Sequence, residues 1–482
     1  MLCVVAMALA GCNLAPDYHP PALAAPADYQ ETGPWRAAKP AEDLSHGSWW
    51  ERFGNRKLDG LEVRIEGANP DLAAAAARYD QARALADEAA AGLSLQVALG
   101  GNLSDNRQSR DRPLRGSGQP NYYGANQAGV VAGYELDFWG RIRNGAAAGA
   151  QSAQASAADL ATVRLSLQAE LAVAYFTFRG LDDQVVLVQE SVSAYEKALD
   201  LTQRLYAGKI APGIDVSRAR TQLETARAQL SDTQARRSVA EHSIALLVGE
   251  APADFSLSRQ TDDIVLPSIP AGVPSTLLQR RPDIAAAERR VAAANSLVGA
   301  ARAAYYPTLS LGLLGGFQST SLNFFNLPES VWSVGPGITL PLLEGGRLDA
   351  QEAIAVAQFK EAGANYRSVT LNAFREVEDN AAELRWLAGE AGSETAAVTA
   401  AQQTLDAAMR LFRQGAGSYL DVLTAQTALL QAQQAALGVK TRRLLADVAL
   451  IRALGGGWEA DMLTAPVTTA ETDPQVASGP VR

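Results

Sequence analysis

The strongest constraint on the fold is an internal duplication. Leu205-Tyr206 is followed by Asp215-Val216, and in the second half of the chain Leu411-Phe412 is followed by Asp421-Val422. The two sets of markers are separated by the same distance, since 411 − 205 and 421 − 215 both equal 206. Solenoid repeats have only roughly 20–50 residues per unit. The chain is therefore predicted to contain two copies of one larger architectural unit.

A helical pattern recurs at the same offset. Small and apolar residues after Asp215 step by four and three positions, which is the spacing of the buried stripe on a coiled-coil helix. Both stripes are rich in alanine, and small side chains let helix backbones approach closely. The pattern predicts two tightly packed helices, each with one interrupting arginine. The stripes are Ala219, Leu223, Ala226, Leu230, Thr233, Arg237, Ala240, Ile244 and Leu247, and then Ala425, Leu429, Ala432, Ala436, Val439, Arg443, Ala446, Leu450 and Ala453.

Composition and motifs exclude several classes of function. The chain has 482 residues and a net charge of −10, and its basic residues are scattered, so it lacks the basic patch of a nucleic-acid-binding protein. No Gly-x-Ser-x-Gly elbow occurs, and His19, His46 and His242 do not have metal-ligand spacing. Gly335-Pro336-Gly337 lacks the third glycine of a phosphate-binding loop. We therefore predict that the chain is not an enzyme and has no metal site.

The amino terminus resembles a bacterial lipoprotein signal. Residues 1–11 are apolar and end in Leu9-Ala10-Gly11, directly before Cys12. In such signals the peptide is removed and the cysteine carries a lipid. No Lys or Arg precedes the apolar stretch, which leaves open a translation start further upstream. We therefore expect a lipid on Cys12 and no other cofactor. Asn13 stands where lipoproteins retained at the inner membrane usually have an aspartate, so we expect an outer-membrane location.

Four segments alternate between apolar and small or polar residues with the period of a β-strand. They span about residues 93–105, 127–139, 306–319 and 331–342. Aromatic residues flank them, as in the girdles of outer-membrane barrels, although a soluble sandwich shows the same alternation. Four strands cannot close a barrel, and lipid does not tolerate open sheet edges. If the strands lie in a membrane, several chains must share one barrel.

Each pair of strands is followed by a long stretch without proline. The distances from Arg141 to Tyr206 and from Arg347 to Phe412 are equal, at 65 residues (206 − 141 and 412 − 347). A helix of that length is roughly 100 Å long and must project from a membrane. The predicted order is a signal at 1–11, a first repeat at 12–250, a connector at 251–274, a second repeat at 275–457 and a tail at 458–482. The first repeat is predicted to have helices at about 141–205 and 214–249, and the second at about 347–411 and 418–455.

Five short motifs are specific enough for comparison with known families. They are Cys12-Asn13-Leu14-Ala15-Pro16-Asp17-Tyr18, Trp49-Trp50-Glu51-Arg52-Phe53, Asn69-Pro70-Asp71-Leu72, Glu135-Leu136-Asp137-Phe138-Trp139-Gly140-Arg141 and Leu278-Gln279-Arg280-Arg281-Pro282-Asp283-Ile284. Together they resemble the TolC family of outer-membrane efflux channels, in its NodT-type lipoprotein branch that serves resistance-nodulation-division (RND) pumps. The resemblance implies an α+β membrane protein with a duplicated unit, forming a trimeric twelve-stranded outer-membrane β-barrel, four strands per chain, that continues into a long periplasmic α-helical barrel.

The same resemblance implies the function and the partners. A homotrimer in the outer membrane of a Gram-negative bacterium, anchored by lipid and extending into the periplasm, would passively conduct small molecules to the exterior. It would receive them from a periplasmic adaptor protein and an inner-membrane RND pump. The alternative within the family is the outer-membrane conduit of a type I protein secretion system. Outside the family, a periplasmic coiled-coil scaffold would explain the helices but not the strands.

The resemblance also assigns a closed periplasmic gate to the two tip turns. Asp421 matches a carboxylate ring at the constriction, and Asp215 matches an acid that ties the tip closed. Phe412, Gly417 and Thr424 stand where several family members have a tyrosine, an arginine and a second acidic ring. Arg413 or Arg410 is the candidate partner of Asp215 in their place. Small residues that break a long helix suit close approach by an adaptor hairpin. The expected docking residues are Gly208, Lys209, Ile210 and Ala211 in the first tip, and Gly415, Ala416, Gly417 and Ser418 in the second.

Overall fold

The structure is a computed structural model that describes residues 13–21, 26, 29–31, 48–112, 116, 118–260, 264–267, 280–322 and 325–458. Cys12 and the predicted signal, much of the predicted connector, and all but the first residue of the predicted tail lie outside this part of the chain. The described residues divide into two compact units, each of which takes segments from both sequence repeats. Unit one includes residues 13–21, 78–157 and 286–368, and unit two includes residues 48–77, 158–285 and 369–458 where these are described.

Three helices of the first repeat have counterparts in the second, and the first helix of the chain has none among the described residues. Their bounds are α1 (Arg56–Ala68), α2 (Pro70–Ala91), α3 (Arg141–Ala207), α4 (Gly213–Leu247), α5 (Pro282–Ala303), α6 (Arg347–Arg413) and α7 (Tyr419–Ala453). The long helices α3 and α6 have 67 residues each, and the returning helices α4 and α7 have 35 each. These two pairs are offset by 206 residues (347 − 141 and 419 − 213), whereas α2 and α5 are offset by 212 (282 − 70). The segment with strands between α5 and α6 is thus six residues shorter than the one between α2 and α3.

The observed bounds of the long and returning helices differ from the predicted ones by at most two residues. The sequence pattern missed α1 and the 3-10 turn Trp49–Phe53 that precedes it. The strand predictions ran up to three residues too far, because apolar residues next to each strand fit its alternation but belong to the adjoining turn. No described helix is both long and apolar enough to serve as a membrane span.

One four-stranded antiparallel sheet contains strands from both repeats. Its strands are β1 (Gln96–Asn102), β4 (Asn126–Leu136), β5 (Thr308–Ser319) and β6 (Ser330–Thr339), and a separate short pair consists of β2 (Asp105–Arg107) and β3 (Tyr122–Gly124). The order in the four-stranded sheet is β1-β4-β5-β6, so the central β4–β5 pairing joins the repeats. The short pair β2–β3 continues the β1–β4 ladder, because Ala125 N donates to Ser104 O at 2.7 Å between them.

The alanine-rich stripes on α4 and α7 face inward, since none of their residues is exposed. The interrupting Arg237 donates from Nε to Asp182 Oδ1 at 2.6 Å and from Nη2 to Leu257 O at 3.0 Å. Asp182 is fully buried, and a buried charge is strongly destabilising without a partner. The arginine therefore balances the charge of Asp182 and binds the segment after α4 through the carbonyl of Leu257.

In each repeat, the residue before the first proline of α2 or α5 binds the carboxyl end of the returning helix. Asn69 Nδ2 donates to Leu247 O at 2.8 Å, and Arg281 Nη1 donates to Ala453 O at 3.1 Å. Leu247 and Ala453 are the last residues of α4 and α7, where carbonyl groups have no partner within the helix. The two repeats thus use different side chains at equivalent positions to satisfy the end of the returning helix.

The segment after Cys12 packs against α5 within unit one. Asn295 Nδ2 donates to Pro16 O at 2.8 Å, and the Tyr18 hydroxyl donates to the Glu288 carboxylate. A Cβ on Gly299 would lie 2.6 Å from the Cβ of Ala15, so only glycine permits this approach. The residues next to the predicted lipid site are therefore held by the same unit that contains the sheet.

Candidate functional site

The strand register places the predicted apolar residues on one continuous face of the sheet. Residues directly opposite each other in neighbouring strands share a face. Val130 is opposite Leu99 on one side and Gly315 on the other, and Gly315 is opposite Trp332. Most side chains of this face are exposed, up to 82% for Leu99, and none is fully buried. The face consists of Val97, Leu99, Ala128, Val130, Ala132, Tyr134, Leu136, Leu309, Leu311, Leu313, Phe317, Trp332, Val334, Pro336 and Ile338.

The two outer strands of this sheet, β1 and β6, each have one neighbour in the described chain. Their outward N–H and C=O groups are not paired in the ladder. Such an edge is a template for pairing with another strand. The exposed apolar face suits contact with lipid, but the two open edges would leave backbone groups unpaired there. A single copy of this sheet is therefore incomplete in a membrane.

The junction between β4 and α3 is fixed by two acids and an aromatic pair. Asp137 accepts hydrogen bonds from the N–H groups of Ile142 at 3.1 Å and Arg143 at 2.7 Å, which caps α3. Glu135 pairs with Arg141 at 2.8 Å. The Trp139 ring stacks on Tyr306 with centroids 4.6 Å apart, and its Nε1 donates to Pro307 O at 2.9 Å. These contacts explain why β4 ends at Leu136, before the aromatic residues that the strand prediction included.

The tips of the four helices in unit two meet in one small apolar cluster. Phe412 at the end of α6 packs against Tyr419 at the start of α7, with ring centroids 5.5 Å apart. Ala219 from α4 and Val422 from α7 complete its buried centre. The predicted gate residue Phe412 therefore lies inside the tip, and Tyr419, which sequence reasoning missed, lies beside it. Comparison of the two repeats could have pointed to this residue, because the second repeat has Tyr419 where the first has Gly213.

Asp215 has a partner on its own helix that the sequence analysis did not propose. Its Oδ1 lies 3.2 Å from Arg218 Nη1 on the same helix, and neither Arg413 nor Arg410 forms an ion pair with it among the described residues. Arg413 is exposed at the end of α6. A partner three residues away on one helix surface is available without any rearrangement, so the pair forms within a single chain. Burial raises the pKa of the Tyr419 hydroxyl to about 12, and the nearby Asp215 carboxylate adds to the shift.

Asp421 is exposed and forms a capping box at the start of α7. The Ser418 N–H donates to Asp421 Oδ2 at 3.2 Å, and Leu420 N donates to Ser418 Oγ at 3.0 Å. Asp215 has the same position in α4, but the residue before that helix is Pro212. Proline has no N–H to donate, so a capping box cannot form there. The two duplicated acids therefore have different contacts.

The predicted docking residues form two turns with one hydrogen-bond pattern. Ile210 N and Ala211 N both donate to Leu205 O, as Ala416 N and Gly417 N both donate to Leu411 O. Ala211 and Gly417 are half-buried in these turns, and the other six predicted docking residues are exposed. No group of three or more His, Cys, Asp or Glu side chains in the described chain is arranged to hold a metal ion.

Comparison with known proteins identifies the family. Residues 63–250 and 273–456 match the outer membrane efflux protein family. Two proteins of Pseudomonas putida, the antibiotic efflux pump outer membrane protein ArpC and the toluene efflux pump outer membrane protein TtgC, are each 33% identical over 462 residues, or 95% of this chain and 95% of theirs. The solved structure of the outer-membrane channel OprN is 28% identical, with a TM-score of 0.85, and covers 93% of this chain and 100% of its own.

This chain therefore belongs to the outer membrane efflux protein family. The resemblance read from the five motifs and the predicted fold class are confirmed. The protein is an outer-membrane efflux channel, located in the outer membrane of a Gram-negative bacterium. The family consists of channel components of transport systems, in line with the prediction that the chain is not an enzyme.

Proposed function

We propose that three copies of this chain form a closed, passive exit duct that receives small molecules from a periplasmic adaptor and an inner-membrane RND pump. The observation that carries the proposal is the four-stranded sheet, with its exposed apolar face and its open edges at β1 and β6. In lipid every backbone polar group needs a partner. Three copies joined edge to edge make twelve strands and leave no edge.

Native mass spectrometry of the channel in mild detergent tests this assembly. The expected species is a trimer, and a folded, membrane-inserted monomer would contradict the proposal. Cross-linking in the native host tests the partners. We expect an adaptor and an RND pump to co-purify, whereas recovery of a transporter of a type I secretion system would favour the protein-secretion alternative. ArpC and TtgC are equally similar to this chain and are named for different cargo, so we assign cargo selection to the pump.

The adaptor is proposed to dock on the two tip turns. Gly208, Lys209, Ile210, Gly415, Ala416 and Ser418 offer it exposed surface, and Ala211 and Gly417 shape the turns. Gly208→Trp and Ala416→Trp are suitable variants because both residues are exposed, and a Cβ on Gly208 meets only ordinary contacts. We expect normal trimer yield with lost adaptor cross-linking and lost export. Lys57→Trp, on the exposed surface of α1, is the control, and normal export by both tip variants would place docking elsewhere.

The lipid is proposed to attach to Cys12 after removal of residues 1–11. Support comes from the Leu9-Ala10-Gly11-Cys12 sequence and from the packing of Pro16 and Tyr18 on α5 in unit one. A lipid there would lie close in sequence to a segment held by the unit that contains the sheet. Mass spectrometry of the amino-terminal peptide tests it. An unmodified Cys12 still joined to Gly11 in the native host would overturn the assignment.

A further inference from the structure

We propose that α6 of one chain packs against α4 of the next chain, with Trp386 of α6 seated on Ala235 of α4 in the neighbouring copy. The inference rests on the proposed trimer and identifies a helical contact that joins its copies. It follows from a contact that the chain already makes between its own two repeats.

That internal contact joins the long helix α3 of the first repeat to the returning helix α7 of the second. A Cβ on Gly180 would lie 2.4 Å from Thr441 Oγ1 and 3.3 Å from Thr441 Cβ, so Gly180 and Thr441 are in close contact. Tyr195 Oη donates to Gln426 O at 3.4 Å. The second contact is fifteen residues further along α3 and fifteen residues earlier along α7 (195 − 180 and 441 − 426). The two helices therefore run antiparallel in a fixed register.

The duplication transfers this register to the other two helices. Exchanging the repeats turns α3 into α6 and α7 into α4. Gly180 then corresponds to Trp386 (180 + 206), and Thr441 corresponds to Ala235 (441 − 206). In this chain Trp386 is 68% exposed and Ala235 is also exposed. The equivalent contact is thus not made within the chain, and in a ring of identical chains only the neighbouring copy can supply it.

The side chains of the two faces are complementary. In the internal pair the glycine lies on the long helix and gives room to Thr441. In the external pair the large residue, Trp386, lies on the long helix, and the small one, Ala235, lies on the returning helix. Val239 and Leu246 follow Ala235 along one side of α4 and are 63% and 67% exposed. These apolar side chains offer Trp386 and its neighbours a surface to cover.

The Trp386 ring is already held in place on its own helix. The Arg385 guanidinium lies 4.8 Å from the ring centroid, and its Nη1 lies 3.0 Å from Glu31 Oε2. A held aromatic ring loses little conformational freedom when a partner covers it, which is typical of anchor residues in interfaces.

Cysteine pairs test the contact in intact outer membranes. The internal reference is Gly180→Cys with Thr441→Cys, since the 3.3 Å between the two Cβ positions is close to the roughly 3.5–4.5 Å of disulfides. The external pair is Trp386→Cys with Ala235→Cys. After oxidation, denaturing electrophoresis without reductant is expected to show a single-chain band for the internal pair and covalent dimers and trimers for the external pair. Ala228→Cys with Trp386→Cys is the spacing control, because Ala228 lies two turns, about 10 Å, along α4.

Native mass spectrometry of the unsubstituted channel separates the two proposals. A trimer whose external pair stays uncross-linked, or cross-links no better than the Ala228 pair, overturns the Trp386 contact and leaves the trimer standing. Absence of a trimer overturns the assembly itself. If the double-cysteine chain does not reach the membrane, p-benzoylphenylalanine at position 235 replaces it. Its photoproduct is expected on the peptide that contains Trp386, and a photoproduct elsewhere contradicts the proposal.

Discussion

Lys209 and Gly415 occupy the same left-handed position in the two tip turns, with φ of 62° and 75°. They are 206 residues apart (415 − 209) and follow equivalent helices. Left-handed backbone costs a residue with a Cβ roughly 1–2 kcal/mol relative to glycine. The first turn therefore carries strain that the second turn avoids, although both have the same hydrogen bonds.

This strain predicts opposite effects of two substitutions on tip stability. Lys209→Gly should raise the free energy of unfolding by up to about 1 kcal/mol, and Gly415→Ala should lower it by about 1 kcal/mol. Gly208→Ala is the matched control, because Gly208 does not have positive φ. Denaturant midpoints of the purified channel measure all three. Equal midpoints for Lys209→Gly and the unsubstituted chain would show that the turn carries no strain.

The capping box separates two roles of Asp421. Asp421→Ala and Ser418→Ala each remove one side of the box and should each cost about 0.5–2 kcal/mol. Only Asp421→Ala removes the charge that a carboxylate ring at the constriction would present to ions. We expect it to lower cation selectivity and block by multivalent cations in planar bilayers, while Ser418→Ala leaves both unchanged. Matching selectivity in the two variants would reduce Asp421 to a helix cap.

Asp447 predicts a pH dependence of stability in unit two. Burial raises the pKa of this carboxyl group to about 7, and Arg443 opposes the shift. Because the folded-state pKa is above the unfolded value of about 3.8, the stability present below pH 4 is lost as pH rises towards 7. Asp447→Asn should therefore stabilise the channel by a few kcal/mol at pH 8 and have little effect at pH 3.5. Unfolding curves at the two pH values measure this, and a pH-independent gain would contradict it.

The centre of the sheet depends on a close backbone contact at Gly316. A Cβ at this position would lie 2.3 Å from Ala128 O in the neighbouring strand, whereas a Cβ on Gly315 has open space. Gly316→Ala must push β4 and β5 apart and should reduce the yield of membrane-inserted channel several-fold. Gly315→Ala should insert normally. Quantifying both variants in outer-membrane fractions tests this, and equal yields would show that the strands adjust without cost.

Much of this architecture was readable from the chain. Repeated markers such as Asp215 and Asp421 indicated the duplication, equal intervals without proline indicated the long helices, and the alternation of apolar and polar residues indicated four of the strands. The helix α1 was missed, since its thirteen residues are a short segment that contains two glycines, although Leu58, Leu61 and Ile65 have helical spacing. Strand ends were misjudged at residues such as Trp139, whose type suits a strand while its hydrogen bond to Pro307 O belongs to a turn.

The contacts of the tip acids were not readable in the same way. Asp215 and Asp421 look alike in sequence, and only their surroundings in the fold distinguish them. One is buried against Arg218 with Tyr419 nearby, and the other is exposed and bound to the N–H of Ser418. The pair of Asp215 with Arg218 was not predicted, because the sequence does not indicate which cation approaches a carboxylate through space.

The sequence by itself therefore determined the duplication, the lengths of the helices and the alternation of the strands, because these properties depend on backbone periodicity and on neighbours a few residues away. Only the tertiary structure decided that β4 pairs with β5, that Gly180 contacts Thr441 while Trp386 stays exposed, and that Asp215 pairs within its helix. These outcomes depend on which distant groups fit within a few ångströms of one another. Packing sets that fit, and local periodicity does not encode it.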